Sequence, residues 1–167
     1  ADVNRTQNVR LAARALNGTV IPAGAVFSYN QAVGPRLEAL GYRVAKIFLR
    51  GRILDGVGGG VCQVASTVYN AALESGLPIV ERARHSRPVP YVPEGRDATV
   101  SYGGVDLKFR NPFNAPLLIQ TRVAGSSLTV SIYGNHRFRR GVATPARAAQ
   151  GRALRLISEV PKSSTSY

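Results

Sequence analysis

Apolar positions recur at helical spacing in the first stretch of the chain, where Val9, Ala12, Ala13 and Leu16 line one face of "NRTQNVRLAARALNG". This predicts a helix that begins at the capping residues Asn4 and Thr6 and stops at Gly18. "VIPAGAVFSYNQAVG" is punctuated by Pro22, Gly24 and Gly34, so its apolar run from Ala25 to Tyr29 reads as a short strand inside loops. "YRVAKIFL" alternates as a strand does, and "GRILDGVGGG" behind it reads as a glycine-rich loop. Ala65, Val68, Tyr69, Ala72 and Leu73 then share a face of "CQVASTVYNAALESG", a helix that Gly76 ends and that Cys62 begins. From Leu77 the period changes to two: "LPIVERARHS", "VPYV", "DATVSYG", "VDLKFRN", "APLLIQTRV" and "SLTVSIYG" read as strands separated by Pro, Gly and Asn turns.

The pattern predicts an α+β fold, an antiparallel sheet-rich domain with an N-terminal helix and a central helix that starts at the cysteine. At 167 residues the chain is long enough to bury a core as one domain, here assigned to residues 1–135. Residues 136–167 are basic and Ala-rich and read as a C-terminal extension or linker. There is no internal repeat or heptad pattern. With no initiator Met and no basic-then-apolar leader, the chain reads as a trimmed piece of a longer protein. No apolar run reaches the ~20 residues of a membrane-spanning helix.

Charge adds to this picture. Lys and Arg total 22 against 9 acidic residues, a formal net charge of +13, which favours polyanionic surroundings. The arginines are scattered and cluster only at Arg137, Arg139 and Arg140, so a nucleic-acid module is the weaker reading and no specific nucleic acid is expected. A single Cys rules out an internal disulfide and leaves packing, an intermolecular bridge or chemistry.

A thiol at a helix N-terminus feels the positive end of the helix dipole, which favours thiolate. Backbone N–H groups of Gly58, Gly59 and Gly60 and of the first helical turn are placed to hold an oxyanion while Cys62 attacks a carbonyl. The alternative is a small buried hydrophobe packing the helix. A phosphate-binding loop fits poorly, because Val61 and Cys62 stand where its Lys belongs. One Cys and two His fall short of a structural zinc set, and no metal or other cofactor is called for. As base for the thiol there are His85 and His136; His85, ending "IVERARHS", is the better placed, with a core or turn histidine as its alternative. Asp97, Asp106 or a backbone carbonyl would orient the imidazole, and either Asp also reads as a turn residue.

Taken in order, "NRTQNV", "IPAGAVFSYNQAVG", "GY", "GGGVCQVASTVYNAAL", "ERARHS", "VPYVPEGRDATVSYG" and "DLKFRN" resemble the VanW domain, over about residues 4–134. VanW domains are common in extracytoplasmic proteins of Gram-positive and related bacteria, take their name from a vancomycin-resistance cluster, and include proteins regarded as cysteine L,D-transpeptidases. The resemblance carries the family's cysteine onto Cys62 and its histidine onto His85. It also matches Gly58, Gly59, Gly60 and Gln63, read as oxyanion and positioning groups. It implies a peptidoglycan L,D-transpeptidase that works by cysteine acyl transfer on tetrapeptide stems, crosslinking them or acting as a carboxypeptidase. Stem peptides, and anionic wall polymers suited to the net positive charge, are the implied partners. Arg82, Arg84 and Arg87 flank His85 as candidate stem-carboxylate ligands, or else form a solvated edge face. The opposing reading is a non-catalytic wall-binding module with a basic surface. The implied location is extracytoplasmic, in the wall or membrane-anchored through a segment outside this chain.

Overall fold

The computed structural model describes residues 2–49 and 52–134, and the backbone of one further strand at 155–159. In chain order the first elements are α1 (Val3–Leu16), β1 (Thr19–Ile21), β2 (Val26–Ser28), α2 (Tyr29–Val33), β3 (Val44–Leu49) and β4 (Arg52–Val57). There follow α3 (Val61–Glu74), β5 (Ile79–Glu81), β6 (Lys108–Arg110), β7 (Leu117–Ala124), β8 (Ser127–Gly134) and β9 (Arg155–Glu159). The α+β reading holds, with α1 N-terminal and α3 starting one residue ahead of Cys62.

The cap of α1 differs from the expectation. Asp2, and neither Asn4 nor Thr6, is the N-cap, because its carboxylate accepts from the N–H groups of Asn4 and Arg5, which lie within the first turn. The buried stripe on α1 is Asn8, Ala12, Ala13 and Leu16. Helix α3 was expected to bury one face but buries Val61 and every residue from Gln63 to Ala72, with α1 and β8 packed against it. Leu73, counted on the apolar face, is 39% exposed, because the helix leaves the core at its last turn. Val64 and Val68 have no exposed surface, and each such burial contributes roughly 1.5–3 kcal/mol.

The strands form three antiparallel groups, ordered β1-β7-β8-β9, β2-β6-β5 and β3-β4. β9, within the stretch read as an extension, pairs with β8. The segment read as a glycine-rich loop holds a strand, β4, which pairs with β3 from Val44 opposite Val57 to Leu49 opposite Arg52. Its apolar and polar residues are nearly all exposed, so no burial pattern marks it, and the partner strand supplies its order. Two expected strands are absent. "VPYV" and "DATVSYG" are irregular, apart from an isolated bridge between Ala83 and Thr99. Polar side chains hold this stretch instead of ladder bonds. Ser66 Oγ accepts from Ala98 N–H at 2.8 Å, and Asn70 Nδ2 donates to Arg96 O at 2.7 Å. Asn30 Nδ2 donates to the carbonyls of Ser101 and Val105.

Between β4 and α3 the chain reverses over residues 58–60. Gly60, at φ 104°, is the N-cap of α3. Gly59 is required for a different reason, since a Cβ there would stand 2.6 Å from Lys46 O and 2.8 Å from the Ala45 carbonyl carbon, both in the β3 backbone. Asn8, fully buried, ties α1 to this turn: its Nδ2 donates to Gly59 O and Arg43 O, each at 2.9 Å, and its Oδ1 accepts from Arg43 N–H at 2.7 Å. Gly59→Ala is therefore expected to lower stability by about 1–3 kcal/mol, an overpacking cost that chemical denaturation reads directly. An unchanged denaturation midpoint would contradict the close approach of turn and strand.

Candidate active site

The turn at 58–60 delivers Cys62 to the second position of α3. Val61 N–H is taken by Gly58 O and Gln63 N–H by Gly60 O, each at 3.0 Å, whereas Cys62 N–H meets no acceptor among the described residues. The thiol is half-buried, with Sγ 3.7 Å from Thr99 Oγ1 and 3.6 Å from Val100 O. It thus sits at the positive end of a 14-residue helix beside an uncommitted backbone donor.

His85 was expected to end a strand but stands in the loop after β5, which stops at Glu81, and its side chain is 4% exposed. Asp97 Oδ2 accepts twice from this one residue, from the backbone N–H at 2.6 Å and from Nδ1 at 2.8 Å. The second bond fixes the proton on Nδ1 and leaves Nε2 as the nitrogen free to exchange a proton. Phe48 from β3 meets the imidazole ring edge-on at 6.1 Å between centroids, and Tyr91 does so at 6.4 Å. Tyr91 Oη stands 3.5 Å from Nε2.

Arg82 holds the clamp from the other side. Its guanidinium donates to Asp97 Oδ1 at 3.1 Å, to Asp97 O at 2.7 Å and to Gly95 O at 2.9 Å, and lies over the Tyr69 ring at 4.8 Å. Burial pushes the Asp97 carboxyl up, but the bonds from His85 and the charge of Arg82 outweigh it and hold the group below its usual range. Burial pushes the His85 imidazole down, and contact with Cys62 and Asp97 reverses that, so His85 stays protonated above its ordinary range. Burial likewise pushes the Cys62 thiol up, and the hydrogen bond and charge of His85 bring it below its ordinary value. The two shifts together favour a thiolate–imidazolium pair. Such a pair with a free backbone N–H beside it can attack a carbonyl, hold the resulting oxyanion and protonate a leaving amine.

The other residues singled out from the sequence are placed as follows. Of the two aspartates only Asp97 touches His85. Asp106 accepts from Ser28 Oγ and from the N–H groups of Asn30 and Leu107, and so fastens the start of α2. Arg82 is committed to Asp97 and does not present itself to a ligand, a role its place beside exposed arginines conceals. Arg84 and Arg87 are exposed and edge a cleft with Ser86 and Glu94, on which His85 and Asp97 also border. Gly58 N–H donates to Arg43 O and is spent, whereas the N–H groups of Gly59, Gly60 and Cys62 meet no acceptor among the described residues. Gln63 accepts from Arg5 Nη2 at 2.9 Å, on the α1 side of the helix. His136 lies outside the described residues. Phe48, Tyr91 and Thr99 were not anticipated, because ordinary strand and turn patterning accounts for each of them.

A family model described as VanW like protein matches residues 4–133. The chain is 45% identical over 148 residues to the uncharacterized protein YoaR of Bacillus subtilis, covering 86% of this chain and 49% of that protein. It is 34% identical over 113 residues to the vancomycin B-type resistance protein VanW of Enterococcus faecalis, covering 65% of this chain and 41% of that protein. The chain thus spans about half or less of the length of these curated relatives. No solved structure matches it.

The coupling of Cys62 to His85 has a measurable consequence. The rate of iodoacetamide alkylation of Cys62 should titrate below the ordinary thiol range, since His85 holds the thiolate. His85→Ala leaves burial unopposed by the imidazole, so the alkylation midpoint is expected to move to higher pH. A midpoint that is the same in both proteins would mean that the two side chains are uncoupled.

Proposed function

The chain belongs to the VanW-like family, and on that footing we propose that it is a peptidoglycan L,D-transpeptidase that works by cysteine acyl transfer. What carries the proposal is the combination of a helix-terminal thiol, its ionisation favoured by His85, with an imidazole clamped through Nδ1 by the Asp97 carboxylate. Nucleophile, base and orienting group are the parts that acyl transfer requires, and they come from separate stretches of the chain.

In the first half-reaction the Cys62 thiolate attacks the carbonyl that joins the third residue of a stem to its terminal D-Ala. The carbonyl oxygen becomes an oxyanion next to Cys62 N–H. As the C–N bond breaks, His85 gives its Nε2 proton to the departing amine, D-Ala leaves, and a thioester remains on Sγ. In the second half-reaction the side-chain amine of another stem attacks the thioester, neutral His85 takes a proton from that amine, an amide forms, and the Cys62 thiolate is released. Water as acceptor gives a free carboxylate instead, the carboxypeptidase outcome. Asp97 stays ionised throughout and keeps Nδ1 protonated, which directs every proton through Nε2.

The proposed setting is the extracytoplasmic cell wall. Stem peptides carry carboxylates and wall polymers carry phosphates, and a chain with a formal charge of +13 suits both. Exposed Arg84 and Arg87 beside His85 add local positive charge where a stem would approach.

The test is intact-protein mass spectrometry after mixing the chain with disaccharide-tetrapeptide, with small products analysed from the same tubes. Wild type is expected to gain the mass of the stem minus D-Ala and to release D-Ala, and Cys62→Ala to do neither. Absence of both adduct and turnover, with both proteins retaining peptidoglycan, would instead assign the chain to non-catalytic wall binding. A second expectation concerns the clamp. Asp97→Asn should lower kcat by about a hundredfold or more while leaving the protein folded, since an amide cannot hold the imidazolium as a carboxylate does. An unchanged kcat would remove Asp97 from the mechanism.

A further inference from the structure

Two side chains contribute every buried side-chain polar atom that lacks a hydrogen-bond partner among the described residues: Nη1 and Nη2 of Arg36, and Oδ1 of Asn30. A buried guanidinium without an acceptor is costly, because its N–H donors lose water and gain nothing in exchange. The nearest aromatic rings do not satisfy them. Arg36 Cζ lies 5.5 Å from the centroid of Tyr29 and 5.8 Å from that of Tyr102, ring contacts that attract the charge, and among the described residues the Tyr29 hydroxyl is the one side-chain oxygen that engages the guanidinium.

Both side chains lie beside the Cys62 site. The stem of Arg36 packs on the turn that leads into α3, where a Cβ on Gly58 would stand 3.2 Å from Arg36 Cβ. Tyr29 donates from its hydroxyl to Val61 O, one residue before the cysteine, at 3.1 Å. One short segment connects the two groups, since Val100 O contacts Cys62 Sγ and the Tyr102 ring contacts Arg36. Asn30 abuts the same segment through Nδ2, which donates to Ser101 O and Val105 O, so its idle Oδ1 belongs to the same side of the site. A planar fork whose two terminal nitrogens form no hydrogen bond of good geometry, next to the N-terminus of a 14-residue helix, suits a carboxylate.

We propose that Arg36 is a specificity residue that receives the free α-carboxylate of the residue to be expelled, so that the enzyme acts only on the last peptide bond of a stem. This rests on the acyl-transfer reading, in which the departing D-Ala carries that carboxylate a few bonds from the attacked carbonyl. Asn30 Oδ1 supplies an acceptor for a peptide N–H of the same ligand. Peptides with a blocked C-terminus, or with a further residue after the scissile bond, place no carboxylate at the fork and leave its charge unpaired.

The experiment separates this assignment from the catalytic one by measuring binding without turnover. Nα,Nε-diacetyl-L-lysyl-D-alanine and its C-terminal amide are titrated into Cys62→Ala protein by calorimetry. The free acid is expected to bind about tenfold to a hundredfold more tightly than the amide, the range of a charge-assisted bond, and Arg36→Met in the same background should bring the two to parity. Equal binding of acid and amide, a preference that survives Arg36→Met, or no binding of the acid at millimolar concentration would each overturn the proposal. A thermal scan without ligand keeps a folding defect apart. A buried Arg whose terminal nitrogens form no hydrogen bond of good geometry contributes little to the fold, so Arg36→Met should leave the midpoint unchanged or raise it. A fall of more than about 5 °C would make Arg36 a structural residue and overturn its assignment as a ligand group. Should wild type fail to form a thioester with any stem while these binding results hold, the carboxylate site stands and the acyl-transfer reading falls.

Discussion

One carboxylate organises this site. Asp97 accepts from the backbone N–H and Nδ1 of His85 with one oxygen and from Arg82 with the other. Bonds of this charge-assisted kind contribute on the order of 1.5–3 kcal/mol each where they are shielded from water. The stretch that carries Asp97 has almost no ladder bonds, and these bonds join those from Ser66 and Asn70 in fixing its path. The same contacts set the chemistry. They choose the imidazole tautomer and favour its charged form, and the charged imidazole in turn stabilises the thiolate of Cys62.

The other half of the site depends on how α3 is presented. The helix is buried almost all round, so its N-terminus cannot shift relative to α1 and the β8 sheet without opening the core. Gly59 lets the incoming turn lie directly on β3, Gly60 takes the left-handed cap position, and buried Asn8 fastens that turn to α1. β3 also carries Phe48, whose ring closes over His85. The hairpin, the turn and α1 therefore fix the start of α3, where the N–H groups of Gly59, Gly60 and Cys62 meet no acceptor among the described residues.

Much of this was legible from residue pattern alone. The 3.6-residue period located α1 and α3, and a lone thiol behind glycines pointed to the helix start that the structure shows. Alternation found β7 and β8, whose inward residues such as Ile119, Val130 and Ile132 are fully buried. It failed where order comes from partners rather than from a buried face. β4 has no buried face to betray it, and the stretch around residues 82–107 mimics strands by alternating while being held by Ser66, Asn70, Arg82 and Asn30. For the same reason the sequence left Asp97 and Asp106 level. Both are buried aspartates in irregular chain, and only its tertiary path puts one against His85 and the other at the start of α2. Arg82 and Arg84 are two positions apart, yet one is locked beneath the site and the other is in solvent.

The account stands on His85 carrying its charge because Asp97 and the Cys62 thiolate hold it, and the most direct measurement is the ionisation of that one ring. A ¹⁵N NMR pH titration of the His85 imidazole, run on wild type and on Cys62→Ser, observes both ring nitrogens. In wild type both nitrogens should remain protonated through neutral pH and the ring should titrate above the usual histidine range. In Cys62→Ser, which offers no thiolate, the titration should move to lower pH while Nδ1 keeps its proton on Asp97. A ring that titrates at the same pH in both proteins, or that carries its neutral-form proton on Nε2, would contradict the coupling on which the proposed chemistry rests.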